Sequence, residues 1–546
     1  MAAEKLKRGL KARHLSMISI GGVIGVGMFL GSGATVKLAG PGVVLSYALG
    51  GVIMLLVMFA LAEMSVAKPV PGSFRVYASE ALHPYVGFAI GWIYALSWVS
   101  VMSAEIVAAN IYMSLWFPAS YSWVFGLIFA ILMTVVNLRS VASFGEFEFW
   151  FAMIKVVAIV VFIVLGLALI LGVGARPIGL KNYIGAGGFL PRGLSGVLLA
   201  MVMVMVAYGG TEVIGIAAGE TQDPEHDVPR AINGIIVRTL VLYIGSIAIL
   251  VGVIPWSRVG LGGSPFVLVY RLLGIPGAAD LMNFVVITAA LSSMNSGLYT
   301  SSRMLYSLGK SGFGPAFLTR VNPRTNVPTY AVLASTLFLY VGVLVYYLSP
   351  RRAFLYITGI SAFGFILTWL VISLTHVYYR PKILAESPER LKFRMPGYPW
   401  ASWAAVALLA AVMVTLWFIP EQRIGIYSGV ALLAALSVYY FTVRARQAAR
   451  ARVERPGRVL EVPARAEGPV IAGAPAMVQA PTMANGPEEA GEPEGLAEPG
   501  RRREPEQTEP EPAGLELATF FGLTPRMKRM IEEERGEGGD GGEKNR

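Results

Sequence analysis

The chain has 546 residues, 55% of them hydrophobic and 14% charged, with no cysteine, four histidines and a formal net charge of +11. A soluble domain would carry roughly a quarter charged residues, so the composition excludes one. It also excludes disulfides, thiolate metal sites and cysteine nucleophiles; with histidines only at 14, 83, 226 and 376, no metal cluster and no cofactor are expected.

In chain order, KLKRGLKARH leads straight into an apolar block without a small-residue cleavage site, so no cleavable signal is expected. About twelve blocks follow, each long enough to cross roughly 30 Å of hydrocarbon. They run over 16–36, 43–66, 86–114, 122–138, 148–172, 195–218, 235–256, 279–306, 328–348, 352–378, 400–418 and 424–446. The expected fold class is therefore an all-α integral membrane protein with about 12 transmembrane helices. Lysine and arginine concentrate in alternate loops, which predicts both termini in the cytoplasm; Arg176, Lys181 and Arg192, in one outer loop, run against the trend. The net positive charge needs no nucleic acid, because the inner-face bias and anionic lipid account for it.

Two of these blocks are interrupted by glycine at membrane depth. GGVIGVG places Gly21, Gly22, Gly25 and Gly27 inside the first, and VMVAYGGTEVIG places Gly209 and Gly210 inside the sixth. Backbone that unwinds there must face protein or a cavity, because lipid satisfies no amide. Interrupted spans at matching places in two halves point to a secondary transporter built from inverted repeats. The repeats would be spans one to five (16–172) and six to ten (195–378), after a short N-terminus (1–15), with spans eleven and twelve (400–446) appended. Free N–H groups at a helix restart suit a carboxylate, and free carbonyls at the preceding stop suit an ammonium. A substrate bearing both groups is an amino acid. The competing reading of the glycines is close helix packing, which requires no ligand.

Ionisable residues inside spans are expensive and default to function. Three lie well within the blocks: Glu105, Lys155 in EFWFAMIKVVAIVVF, and Glu212 in GGTE. Glu63 and Glu220 fall nearer helix ends, where water or loop amides can satisfy them. Lys155 is either a group that gains and loses a proton or a fixed charge that snorkels or pairs with a glutamate. Glu212 is either a gating carboxylate or an acceptor for amides freed by the break; Glu105 either binds a cationic side chain of the substrate or pairs with Lys155. The eighth span carries Ser292, Ser293, Asn295, Ser296, Thr300 and Ser301, most of which would join helices.

The strings SIGGVIGVGMFLGSGATVKLAGPG, EMSVAKPVPGSFRVYASEAL, GFAIGWIYALSW, GTEVIGIAAGETQDPEHDVPRAI and LSSMNSGLYTSSRMLYSLGKSG resemble the amino-acid transporter family of the amino acid–polyamine–organocation superfamily, over residues 10–440. The resemblance implies proton-coupled amino-acid uptake on the 5+5 inverted-repeat, leucine-transporter-like fold with two extra helices. It implies that Val23, Gly25, Val26 and Gly27 on the first span, and Val206, Tyr208 and Gly209 on the sixth, hold the substrate, with Glu105 beside them. It implies that Lys155 stands where sodium-coupled cousins hold a cation, with Ser292 or Ser296 nearby, and that Glu212 and Glu220 serve coupling or gating. Relatives commonly carry an aromatic residue at the place of Val206, so the identity of the gate departs from the pattern.

After Tyr440 the text becomes arginine-rich, then rich in Pro, Gly, Glu and Ala, which predicts a disordered cytoplasmic tail over 447–546 with an amphipathic helix at 515–535. Within transport, an amino-acid exchanger would use the same site as a proton symporter. A nutrient receptor signalling through the tail is a third reading. An enzyme is disfavoured for want of a nucleophile–base pair at membrane depth, and a pump for want of a nucleotide-binding loop.

Overall fold

The computed structural model describes residues 12–139, 141–173, 177–260, 263–272, 276–348 and 353–454. These belong to one compact unit, Met1–Arg458. The expected amphipathic helix at 515–535 and most of the expected tail lie outside the described residues.

The described residues form α1 (Ala12–Val23), α2 (Val26–Phe29), α3 (Gly31–Ala39), α4 (Val43–Ala67), α5 (Phe74–Ala81), α6 (Pro84–Met113), α7 (Ser122–Leu138), α8 (Val141–Leu171) and α9 (Lys181–Ile184). They continue as α10 (Gly193–Tyr208), α11 (Val213–Ala217), α12 (Pro224–Val253), α13 (Pro265–Leu272), α14 (Ala278–Lys310), α15 (Thr329–Leu348), α16 (Ala353–Glu386), α17 (Trp400–Thr415) and α18 (Arg423–Glu454). Ten helical stretches among the described residues are long and apolar enough to cross a membrane, and Ser122–Leu138 is a shorter apolar helix. α18 continues to Glu454, beyond the expected boundary at 446.

The expected first span is not one helix. α1 stops at Val23, Gly25 is extended (φ −132°, ψ −152°), and helix restarts at Val26. The sixth block breaks likewise: α10 ends at Tyr208, Gly209 to Glu212 form turns, and α11 begins at Val213. Gly210 has φ +106°, a conformation that a side chain would strain.

α8 shows how the bundle sorts its faces. Ala152, Ile159 and Phe162 are buried together with Glu148 and Lys155, while Trp150, Val157, Val160 and Val164 face outward. The buried set recurs at helical spacing, so both charges ride the inward stripe. α1 packs against α8, α12 and α14, which places its break in the middle of the bundle. α6 packs against α14, α15 and α16.

Candidate functional site

The two breaks lie against each other. A Cβ on Gly210 would stand 2.7 Å from Gly22 O and 3.1 Å from Val23 N, and one on Gly27 would stand 2.9 Å from Ala207 Cα. Glycine is required at both because backbone meets backbone. Tyr243 of α12 stitches the junction: its hydroxyl lies 2.7 Å from Val23 O and 2.8 Å from Ala207 O, carbonyls at the ends of the two half-helices.

Beside the junction is a cavity of about 20 Å³. Its lining takes in most of the substrate residues expected from sequence: Val23, Gly25, Val26, Gly27, Val206, Gly209 and Glu105. Tyr208 is not among them. Its hydroxyl donates to Tyr47 O (2.9 Å) and its ring packs on Tyr243, with centroids 4.9 Å apart. The aromatic surface missing at Val206 is supplied from other helices, by Trp98 of α6 and Phe365 of α16. Those two were not anticipated, because nothing local distinguishes them from other buried aromatics. A cavity needs about 10–15 Å³ to hold one water, so this conformation has no room for an amino acid.

Glu105 is buried, and its carboxylate accepts the Val26 N–H at 3.0 and 3.1 Å. It thus engages the donor at the helix restart, where a carboxylate was expected, rather than an ammonium. Lys155 is also buried and donates to Gly21 O and Ile24 O, both at 2.7 Å. An uninterrupted helix would use those carbonyls internally.

Glu212 accepts from Tyr94 Oη (2.8 Å), Trp369 Nε1 (3.1 Å) and Gly210 N (3.0 Å). It therefore takes up an amide freed by the break while tying α6 and α16 to it. Glu220 pairs with Arg303 Nε at 2.9 Å and accepts from Tyr299 Oη at 3.1 Å, a buried ion pair between the end of the sixth span and α14. Glu63, expected to be satisfied by loop amides, accepts Met395 N at 2.5 Å and has His376 Nε2 3.2 Å away. Ser292 donates to Glu148, whereas Ser296 Oγ is buried without a partner near Gly22.

Glu148 was likewise not anticipated from the sequence. Drawing the fifth span from 148 put this residue at its edge, but α8 starts at Val141 and carries it inward, fully buried. The signal was its spacing of two helical turns from Lys155, on the same face.

Comparison with known proteins matches residues 14–448 to the amino acid permease family. A Bacillus subtilis (strain 168) protein described as an uncharacterized amino acid permease, YtnA, is 43% identical over 441 residues, covering 80% of this chain and 95% of its own. The gamma-aminobutyric acid permease of the same organism is 42% identical over 438 residues, covering 79% of this chain and 93% of its own. The aromatic amino acid transport protein AroP of Escherichia coli O6:H1 is 40% identical over 452 residues, covering 82% and 98%. With apolar membrane-length helices, interlocked breaks and full-length relatives of this kind, the chain belongs to the amino acid permease family, as a multi-pass membrane transporter and not an enzyme.

Proposed function

We propose that the protein imports amino acids across the cell membrane by proton symport, through alternating access around the paired breaks. In this reading α1 to α3 form one span and Ser122–Leu138 another. The total is then twelve spans, arranged as two inverted repeats of five plus two, with both termini in the cytoplasm. The observation that carries it is the meeting of the two interrupted helices beside Glu105 and Lys155. The Val26 amide offers a carboxylate its partner, and Glu105 offers an ammonium its partner once substrate takes that amide. Lys155 bonds the stopped half of the first span only through its N–H groups, so its protonation state bears on how firmly that half is held. Relatives named for γ-aminobutyrate, for aromatic amino acids and for threonine and serine each align over 79–82% of this chain and differ in the substrate they are named for. Amino-acid backbone recognition on the two breaks, with the side chain read by the surrounding helices, accommodates that range.

The test is uptake by the purified protein in liposomes under an imposed inward proton gradient, across the standard amino acids and γ-aminobutyrate. Uphill accumulation of at least one, abolished by a protonophore, is expected. Accumulation that ignores the protonophore but requires internal amino acid would make the protein an exchanger. Indifference to every compound would overturn the transport reading.

A further inference from the structure

Glu148 has no part in the site as described so far, yet it is a fully buried carboxylate in the middle of a membrane bundle. It sits where three helices meet. Ser292 and Asn295 of α14 donate to it, the latter at 2.8 Å, and Asn295 is in turn held by Asn137 of α7 at 2.7 Å. The carboxylate also presses on Gly21 of α1, at a point where any Cβ would collide with Oε1. Gly21 is the same residue whose carbonyl receives Lys155 Nζ. Ammonium and carboxylate therefore bracket one glycine. Lys155 lies seven residues, or about 10 Å of helix rise, from Glu148 on the shared face of α8. Among the described residues, the charges acting on Lys155 are Glu148 and Glu105, and the charge acting on Glu148 is Lys155; α1, α7 and α14 turn neutral groups toward it.

Glu148 differs from Glu220, which is locked by a guanidinium that has no neutral form in proteins. Glu105 also has a hydroxyl partner, Ser293, but it occupies the Val26 amide at the helix restart. The hydroxyl of Ser292 can donate to a carboxylate or accept from a carboxylic acid. Ser296 Oγ, buried and unpartnered on the same face of α14 and near Gly22, is a second hydroxyl of this kind. Both protonation states of Glu148 can thus be satisfied without moving a helix.

We propose that Glu148 is the residue that takes the proton from Lys155 and passes it toward the membrane face on which α8 begins. The proposal rests on the proton-symport reading above. An N–H bond of the Lys155 ammonium breaks and an O–H bond forms on Glu148, directly after side-chain rotation or across one intervening water, turning the two opposite charges into a neutral amine and a carboxylic acid. The acid then gives its proton to water entering from the α8 N-terminal side and is restored as a carboxylate. The neutral amine holds Gly21 O and Ile24 O more weakly than the ammonium did, so loss of the proton loosens the first half of the broken span. Charge neutralisation and release of α1 become one event.

The experiment compares wild type, Glu148→Gln and Glu148→Asp in liposomes. It measures substrate-driven proton entry, accumulation under a pH gradient, counterflow exchange without a gradient, and ligand-induced thermal stabilisation. Glu148→Gln is expected to cut proton entry and uphill accumulation at least about tenfold while counterflow and ligand stabilisation stay within about twofold, since removal of a proton-transfer group costs about 10²–10⁴ in rate. Glu148→Asp, which keeps the carboxyl, recovers part of the lost accumulation. Wild-type accumulation in Glu148→Gln overturns the inference. So does a parallel loss of counterflow and ligand stabilisation, which would mark Glu148 as a helix-joining residue. A wild-type protein that moves amino acids without protons removes the symport reading and this inference together.

Discussion

The ammonium of Lys155 is met by two backbone carbonyls, Gly21 O and Ile24 O, that accept from outside the helix because α1 stops at Val23. Truncating Lys155 to alanine leaves both without that donor. In proton-driven uptake assays Lys155→Ala is expected to lose at least about tenfold in accumulation, while substrate still stabilises the protein in thermal unfolding. Unchanged accumulation across pH would remove Lys155 from the coupling mechanism. Gly27 sits where a Cβ would be 2.9 Å from Ala207 Cα, a contact that backbone cannot yield easily. Gly27→Leu should weaken substrate binding by about five- to 150-fold, the equivalent of the roughly 1–3 kcal/mol that overpacking costs. Wild-type affinity by calorimetry would show that the junction opens there without strain. Glu105, Lys155 and Glu212 were legible because an ionisable side chain within an apolar block has few structural excuses. Glu148 was hidden by a boundary, and Trp98 and Phe365 by being ordinary apolar residues until a cavity gathers them.

Helix interruption is the element on which the site depends, and Tyr243 shows how it is held. Its hydroxyl reaches the carbonyls at both helix ends, so α12 ties the first break to the second. Tyr243→Phe leaves those acceptors without this donor, and the expected loss is about 1–3 kcal/mol of stability, read as a lower unfolding temperature. An unaltered unfolding temperature would show that water replaces the tyrosine. The glycine clusters at 21–27 and 209–210 announced both interruptions, since glycine is costly in a helix interior. Their contact was beyond local reading. Which carbonyl meets Tyr243, and that Glu105 occupies the Val26 amide, follow from helices far apart in sequence.

At the scale of the molecule the proposed substrate site is closed. A cavity of about 20 Å³ cannot admit an amino acid, so binding there would require α1, α6, α10 or their neighbours to open. Shortening the chain after Glu454 leaves every described residue in place, and transport by the truncated protein is expected to equal wild type within about twofold; a ligand at about 100 Kd should still add about 2.7 kcal/mol of stability. Loss of uptake in the shortened chain would assign the tail a part in transport. Membrane residence, an all-helical fold and the position of both helix breaks could be read directly from the chain, because bilayer thickness and helix propensity act on consecutive residues. Tertiary packing alone decided which charges meet: Glu105 with Val26, Lys155 with Gly21 and Ile24, Glu220 with Arg303, and Glu148 with Ser292 and Asn295. A buried charge must find its partner in space, and the packing of helices distant in sequence chooses that partner.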